Sequence, residues 1–171
     1  MHIKFLAPSW GNILPWDKFF DRAKQDGFDG VEIGLPPDIS QAELDLIQEL
    51  CNKRGLDIVA QHYSTYEADF NQHYDTYSKW FDMIAGYPCL RINTQTGKDY
   101  FTFEQNKALI DVTVAHQTKY GIPVSHETHR NKFAFAAHIT KEYLQKIDYL
   151  RLTLDLSHWV NVAESYLEDQ Q

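Results

Sequence analysis

The chain has 171 residues, 43% hydrophobic and 23% charged, with ten Tyr and ten Phe, a composition that packs a single core and excludes a disordered chain. Its formal net charge is −8 with no basic stripe to offset it, which excludes the usual nucleic-acid partner, because phosphate binding works through counterion release by Lys and Arg. No segment approaches membrane-spanning length, and the opening MHIKFLAPSW carries neither a basic leader nor an apolar stretch, so a cytoplasmic protein with no membrane partner is expected.

Six strand-like runs recur along the chain: IKFLA from Ile3, GVEIGL from Gly30, DIVAQHY from Asp57, CLRINT from Cys89, PVSHETH from Pro123 and LRLTLDL from Leu150. Their starts lie roughly 30 residues apart, the length of one βαβ step. The stretches between them carry helix signals. Pro15 suits a first helical turn and Gly27 a stop; Ser40 with Glu43 spells a capping box closed by Gly55. Phe70, Tyr74, Tyr77, Phe81 and Ile84 form a stripe at steps of three and four that ends at Gly86. Thr102 with Gln105 opens a fourth helix, and Gly121 before Pro123 ends it. The aromatic stripe reads as core. Cys51 and Cys89, each in an apolar run, read as buried thiols and not as a disulfide or zinc pair.

Strict alternation of strand and helix implies a parallel sheet with helices outside, doubly wound or closed into a barrel. The expected sixth strand favours the barrel: Leu150, Leu152, Leu154 and Leu156 share one face, and Arg151, Thr153 and Asp155 the other. Val31 and Ile33 oppose Glu32 in the same way. A nucleotide-binding doubly wound sheet wants a glycine-rich turn after its first strand, and APSWGN offers only Gly11. The fold class expected is therefore α/β, a (β/α)8 TIM barrel with six of its eight units, in one domain over residues 1–171 that lacks the last two strands.

Active sites of such barrels sit at the C-terminal ends of the strands. The polar residues expected there are Glu32, His62, Asn93, Glu127, His129, Arg130, Asp155 and His158. Carboxylates and imidazoles converging on one mouth suit a divalent cation. ETHR and DLSHW each place an acid where a strand leaves the barrel, and Asp155 has a competing role as cap of the next helix. Trp10 or Trp159 can offer an apolar face to a ligand or belong to the core.

At ETHR and DLSHW, and from APSWG and FDGVEIGLP onward, the sequence resembles the xylose-isomerase-like barrels, a group that includes sugar isomerases, ketose epimerases, inosose dehydratases and the endonuclease IV type of repair enzyme. The resemblance implies a metal-dependent sugar or sugar phosphate isomerase or epimerase working by proton transfer through an enediolate. It implies Glu127 and Asp155 as metal ligands, Glu127 also as acid or base, and His158 at the substrate, with His62, His129 and Arg130 fixing substrate oxygens. The cofactor implied is a divalent ion (Mn, Mg, Co or Zn), held weakly or not at all in this chain.

The pattern breaks at the end. The group's metal site also takes a histidine from a seventh strand and a glutamate from an eighth, while this chain stops at YLEDQQ in the expected sixth helix. A shortened piece, a natural short homologue and a chain completed by a partner are all compatible with that. If the chain is the whole molecule, weak metal binding, little turnover and a homo-oligomer joined through open barrel edges are expected. Two other functions compete. One is an endonuclease IV-like nuclease, opposed by the charge and by Asn93, Thr94 and Gln95 where that type has a histidine. The other is a non-catalytic barrel that binds a sugar or a partner.

Overall fold

The computed structural model describes residues 3–168. Its elements alternate without exception: β1 (Leu6–Pro8), α1 (Trp16–Gln25), β2 (Gly30–Gly34), α2 (Gln41–Arg54), β3 (Asp57–His62), α3 (Phe70–Met83), β4 (Arg91–Thr94), α4 (Phe103–Tyr120), β5 (Val124–Glu127), α5 (Ala137–Lys146), β6 (Leu152–Thr153) and α6 (Leu156–Ala163). All strand pairs are parallel and their order follows the sequence, β1-β2-β3-β4-β5-β6. A doubly wound sheet reverses its strand order at a switch point, whereas a barrel adds each strand beside the last. The observed order therefore makes this six-stranded, curled sheet an incomplete TIM-type barrel.

The period of two along each strand divides its side chains between two environments. Ala7, Val31, Ile33, Ile58, Ala60, Ile92 and Val124 point toward the helices and join Phe19, Phe20, Leu44, Ile47, Tyr77, Trp80, Phe81 and Leu109 in the main core. A second cluster, Ile110, Phe133, Ala134, Tyr143, Ile147 and Leu150, packs α5 against α4 and takes in Leu152. The opposite parity, with Glu32, Gln61, Asn93, Ser125, Glu127 and Thr153, faces the inside of the curl. A register slip of one residue would exchange these two sets.

The helix ends follow the sequence signals closely. Ser40 accepts a hydrogen bond from the Glu43 N–H, and Gly55 closes α2 at φ 61°, a left-handed value that Gly adopts at little cost. The reciprocal half of that expected box is not formed; Glu43 instead accepts from Trp16 Nε1 at 3.0 Å, joining α2 to α1. The full box belongs to α4, where Thr102 and Gln105 cap each other. The stripe on α3 is core as expected, with Tyr77 and Phe81 buried, although Tyr74 is more than a third exposed. Cys51 is buried and Cys89 partly so; both are free thiols, pushed by burial up to about 12 and about 11.

Two expectations at the end of the chain are corrected. The sixth strand spans two residues instead of a run through Leu156, because Asp155 caps α6 and Leu156 is already helical. Only Leu150 and Leu152 meet the helical layer; Leu154 is 58% and Leu156 51% exposed. The sixth helix also ends sooner than YLEDQQ implies, at Ala163, with Glu164 turning at φ 50°. Tyr166, Leu167 and Glu168 lie beyond it, and residues 169–171 lie outside the described residues.

His126 on β5 points into the helical layer. Its Nδ1 meets Thr96 Oγ1 at 2.7 Å and its Nε2 meets Thr113 Oγ1 at 3.3 Å. Burial pushes it down to about 3, against roughly 6.5 in an unfolded chain. The unfolded chain thus takes up a proton below pH ~6.5 that the folded chain refuses until about pH 3. Stability contributed here is complete above ~6.5 and is lost as the pH falls through that window, by up to ~1.4 kcal/mol per pH unit. Urea unfolding of the wild type and His126→Gln between pH 7 and pH 4 should show the steeper acid loss in the wild type; parallel curves would contradict this account.

Candidate functional site

Glu127 is the last residue of β5 and one of the inward set, yet it is only 7% exposed. A carboxylate is stable in such a place only when its oxygens are hydrogen-bonded. Here Oε2 accepts from Gln61 Nε2 at 2.9 Å and from Asn93 Nδ2 at 3.0 Å, and Oε1 from Gln95 Nε2 at 3.3 Å. The donors come from β3, from β4 and from the residue just beyond β4. Asn93 Nδ2 also donates to Glu32 at 2.9 Å, tying β2 into the same network. Oε2 carries two short bonds and Oε1 one long one, so Oε1 retains more capacity for a further partner.

The loop after β5 and the first turn of α6 bring two imidazoles to this carboxylate. Donor atoms of Glu127, His129 and His158 all lie within 4.8 Å of one another. The two rings are close but tilted, with centroids 3.7 Å apart and planes at 41°. His129 Nδ1 is bonded to the Arg130 carbonyl oxygen at 2.6 Å, leaving Nε2 for another partner, and the buried Nδ1 of His158 has no hydrogen-bond partner. Burial lowers the proton affinity of both rings, and each is lowered further by positive charge beside it, His158 for His129 and Arg130 for His158. Neutral imidazole is the form that ligates a metal, so one carboxylate and two such rings fit a borderline divalent ion.

Asp155 stands behind this group instead of in it. Its Oδ1 accepts from the Ser157 N–H at 2.9 Å and the Ser157 hydroxyl at 2.6 Å, the N-cap arrangement of α6. Its Oδ2 lies 3.6 Å from His158 Nε2. Burial opposes the charge on Asp155, but the bonds from Ser157 and the nearby imidazoles outweigh it and hold the carboxyl below its ordinary range. In this position Asp155 orients His158, as a carboxylate behind a metal-binding imidazole does.

The remaining expected residues divide. Arg130 is exposed at the rim, and its charge acts on His158. His62 is not at the mouth. One step along β3 from the inward Gln61, it faces the helices, fully buried against Tyr77 and Trp80, with Nδ1 meeting Thr94 Oγ1 at 3.1 Å and Nε2 meeting Thr65 Oγ1 at 2.7 Å. Burial, and after it the charges of Lys132 and His73, keep it neutral. Trp10 is 54% exposed beside Tyr63, and Trp159 is tied by Nε1 to the Ala134 carbonyl oxygen at 2.9 Å. Three residues at the cup were not foreseen: Gln61, Gln95 and Lys132. Parity was available for Gln61, two places beyond Val59 on the inward side. For Lys132 the signal was a cation followed directly by Phe133, Ala134 and Phe135 in a strand-end loop.

No protein-family profile matches the sequence, and no curated protein matches it. Solved structures do. The fold is similar to that of a probable 3-DHS dehydratase of Bacillus anthracis, at TM-score 0.64 and 17% identity over 94% of this chain. It is similar as well to a D-allulose 3-epimerase of Methylomonas sp., solved with D-allulose, at TM-score 0.70 and 15% identity over 95% of the chain. A sialic acid aldolase of Ruminococcus gnavus matches at TM-score 0.51 and 13% identity over 88%. The chain spans 66%, 65% and 54% of these three proteins respectively. Likeness at such identities shows the fold alone, and it is the expected one: a TIM-type barrel, of which six units are present.

Proposed function

We propose that this cup is the metal and sugar site of an isomerase or epimerase that moves a proton between carbons next to a carbonyl. The observation that carries the reading is the convergence of Glu127, His129 and His158 on the inner side of β5 and β6. The epimerase and dehydratase among the structural neighbours support the substrate class. Glu127, His129 and His158 would hold the ion, with Asp155 bracing His158. A divalent ion bound there supplies a Lewis acid that polarises a carbonyl or hydroxyl oxygen of the sugar. Glu127 takes the proton from the neighbouring carbon, generating an enediolate, and a proton returned to either carbon completes the exchange. The amide donors from Gln61, Asn93 and Gln95 keep the Glu127 carboxylate aimed for that step. Arg130 at the rim binds substrate oxygens. The ligand is a small sugar or sugar phosphate, and the protein acts in the cytoplasm.

Calorimetric titration with manganese should give one site per chain, weakened at least ~30-fold by Glu127→Gln, a loss in the range of one charged ligand. In deuterated water with manganese and a panel of ketoses, the wild type should exchange a proton beside the carbonyl and the variant should not. Equal manganese affinity in the two proteins would remove the reading.

Among the described residues β1 and β6 each have one strand neighbour, which leaves a row of backbone groups without a ladder partner along each. Phe5 and Trp10 near one edge and Leu154 and Leu156 near the other are more than half exposed. The same reading includes self-association through these edges. Light scattering should report a mass above 20.0 kDa that falls on dilution or in Leu154→Lys; a monomer at every concentration would refute it.

A further inference from the structure

Lysine keeps its ammonium in water because a full charge and three N–H donors are costly to bury. Lys132 departs from that rule. It is 4% exposed, its Nζ donates to the Thr65 carbonyl oxygen at 3.2 Å, and no carboxylate makes an ion pair with it among the described residues. The ring of exposed Tyr66 lies 5.9 Å from the ammonium. Its backbone is fixed from both sides: the Lys132 N–H donates to the His129 carbonyl oxygen and the Phe133 N–H to that of Thr96, each at 3.2 Å. Asn131 before it turns at φ 64°, which side-chain-bearing residues seldom adopt.

A tie between two loops requires one donor, which an uncharged amide supplies as well as an ammonium does. Lys132 brings a whole charge and N–H donors beyond the one that Thr65 uses. Burial first, and then the positive charge of Lys98 from the loop after β4, weakens the hold of this ammonium on its proton, while the negative charges of Glu127 and Glu67 act the other way from outside ion-pair distance. A buried ammonium with one carbonyl bond and no ion pair opposes folding, and a second lysine acting on it is not a general property of the surface in a chain of net charge −8. An anion there would pair the buried charge and use the unspent donors.

We propose that Lys132 and Lys98 form an anion subsite at the rim of the cup, where the carboxylate or phosphate of the substrate is held while Glu127 works on a carbon further along it. The subsite rests on the sugar-site reading only for the identity of the rest of the ligand; anion binding itself requires no metal.

The test uses the full chain without metal at constant ionic strength, titrated separately with inorganic phosphate and with gluconate and followed by amide chemical shifts. The wild type should saturate with one of them in the millimolar range, weakened ~10-fold or more by Lys132→Met and ~3-fold by Lys98→Gln. Phosphate binding more tightly than gluconate assigns a phosphorylated ligand, and the reverse assigns a sugar acid. Manganese affinity should be unchanged in Lys132→Met, so loss of manganese binding by the wild type would count against the metal reading and leave this one standing. No saturation by ~50 mM of either anion, or the same affinity in Lys132→Met, overturns the subsite. If circular dichroism shows Lys132→Met unfolded, Lys98→Gln decides alone: a folded variant with wild-type anion affinity overturns it.

Discussion

A carboxylate at the end of β5 is the constraint on which the site depends. Glu127 is buried at a place that water does not solvate, and it tolerates this because Gln61, Asn93 and Gln95 direct amide N–H groups at it. Those donors arrive from neighbouring strands, so their aim depends on the register that pairs Gln61 with Asn93 and Asn93 with Ser125. A slip of one residue in β3 would withdraw Gln61 and bring His62 inward in its place. The fold and the electrostatics of the cup are for this reason one problem.

The division of faces explains why the histidines differ. His62 and His126 have strand parity that directs them to the helices, where threonine hydroxyls meet both ring nitrogens. They act as core residues with polar contacts. His129 lies in the loop past β5 and His158 in the first turn of α6, where loop and helix geometry and not pleating set direction, and each keeps a nitrogen free of the protein's own bonds. Where a histidine falls relative to the end of its strand therefore separates the structural pair from the candidate ligands.

The architecture was legible in the sequence because it depends on repeated local signals: six apolar runs, helix caps at Ser40 and Thr102, and stops at Gly55 and Gly121. The mouth was legible in part. ETHR and DLSHW were correctly seen as strand-end motifs, but which side chain of each meets the other depends on turn geometry that spacing does not encode. Asp155 illustrates the difficulty, since one carboxylate can cap a helix or face a cation, and here Ser157 takes one of its oxygens. His62 was misplaced because a strand-end residue can fall on either parity, and the ladder puts Gln61 inside. Lys132 escaped notice because burial of a lysine is created by three loops distant in sequence, joined at the Thr65 and Thr96 carbonyl oxygens.

The central claim is that Glu127, His129 and His158 hold one divalent ion. Anomalous diffraction from crystals grown with manganese or zinc measures this most directly. The account predicts a single peak within ~2.0–2.3 Å of a Glu127 oxygen and of one nitrogen from each of the two imidazoles. A peak bound elsewhere, or a cup that stays empty at saturating metal while the amides still grip Glu127, would contradict it.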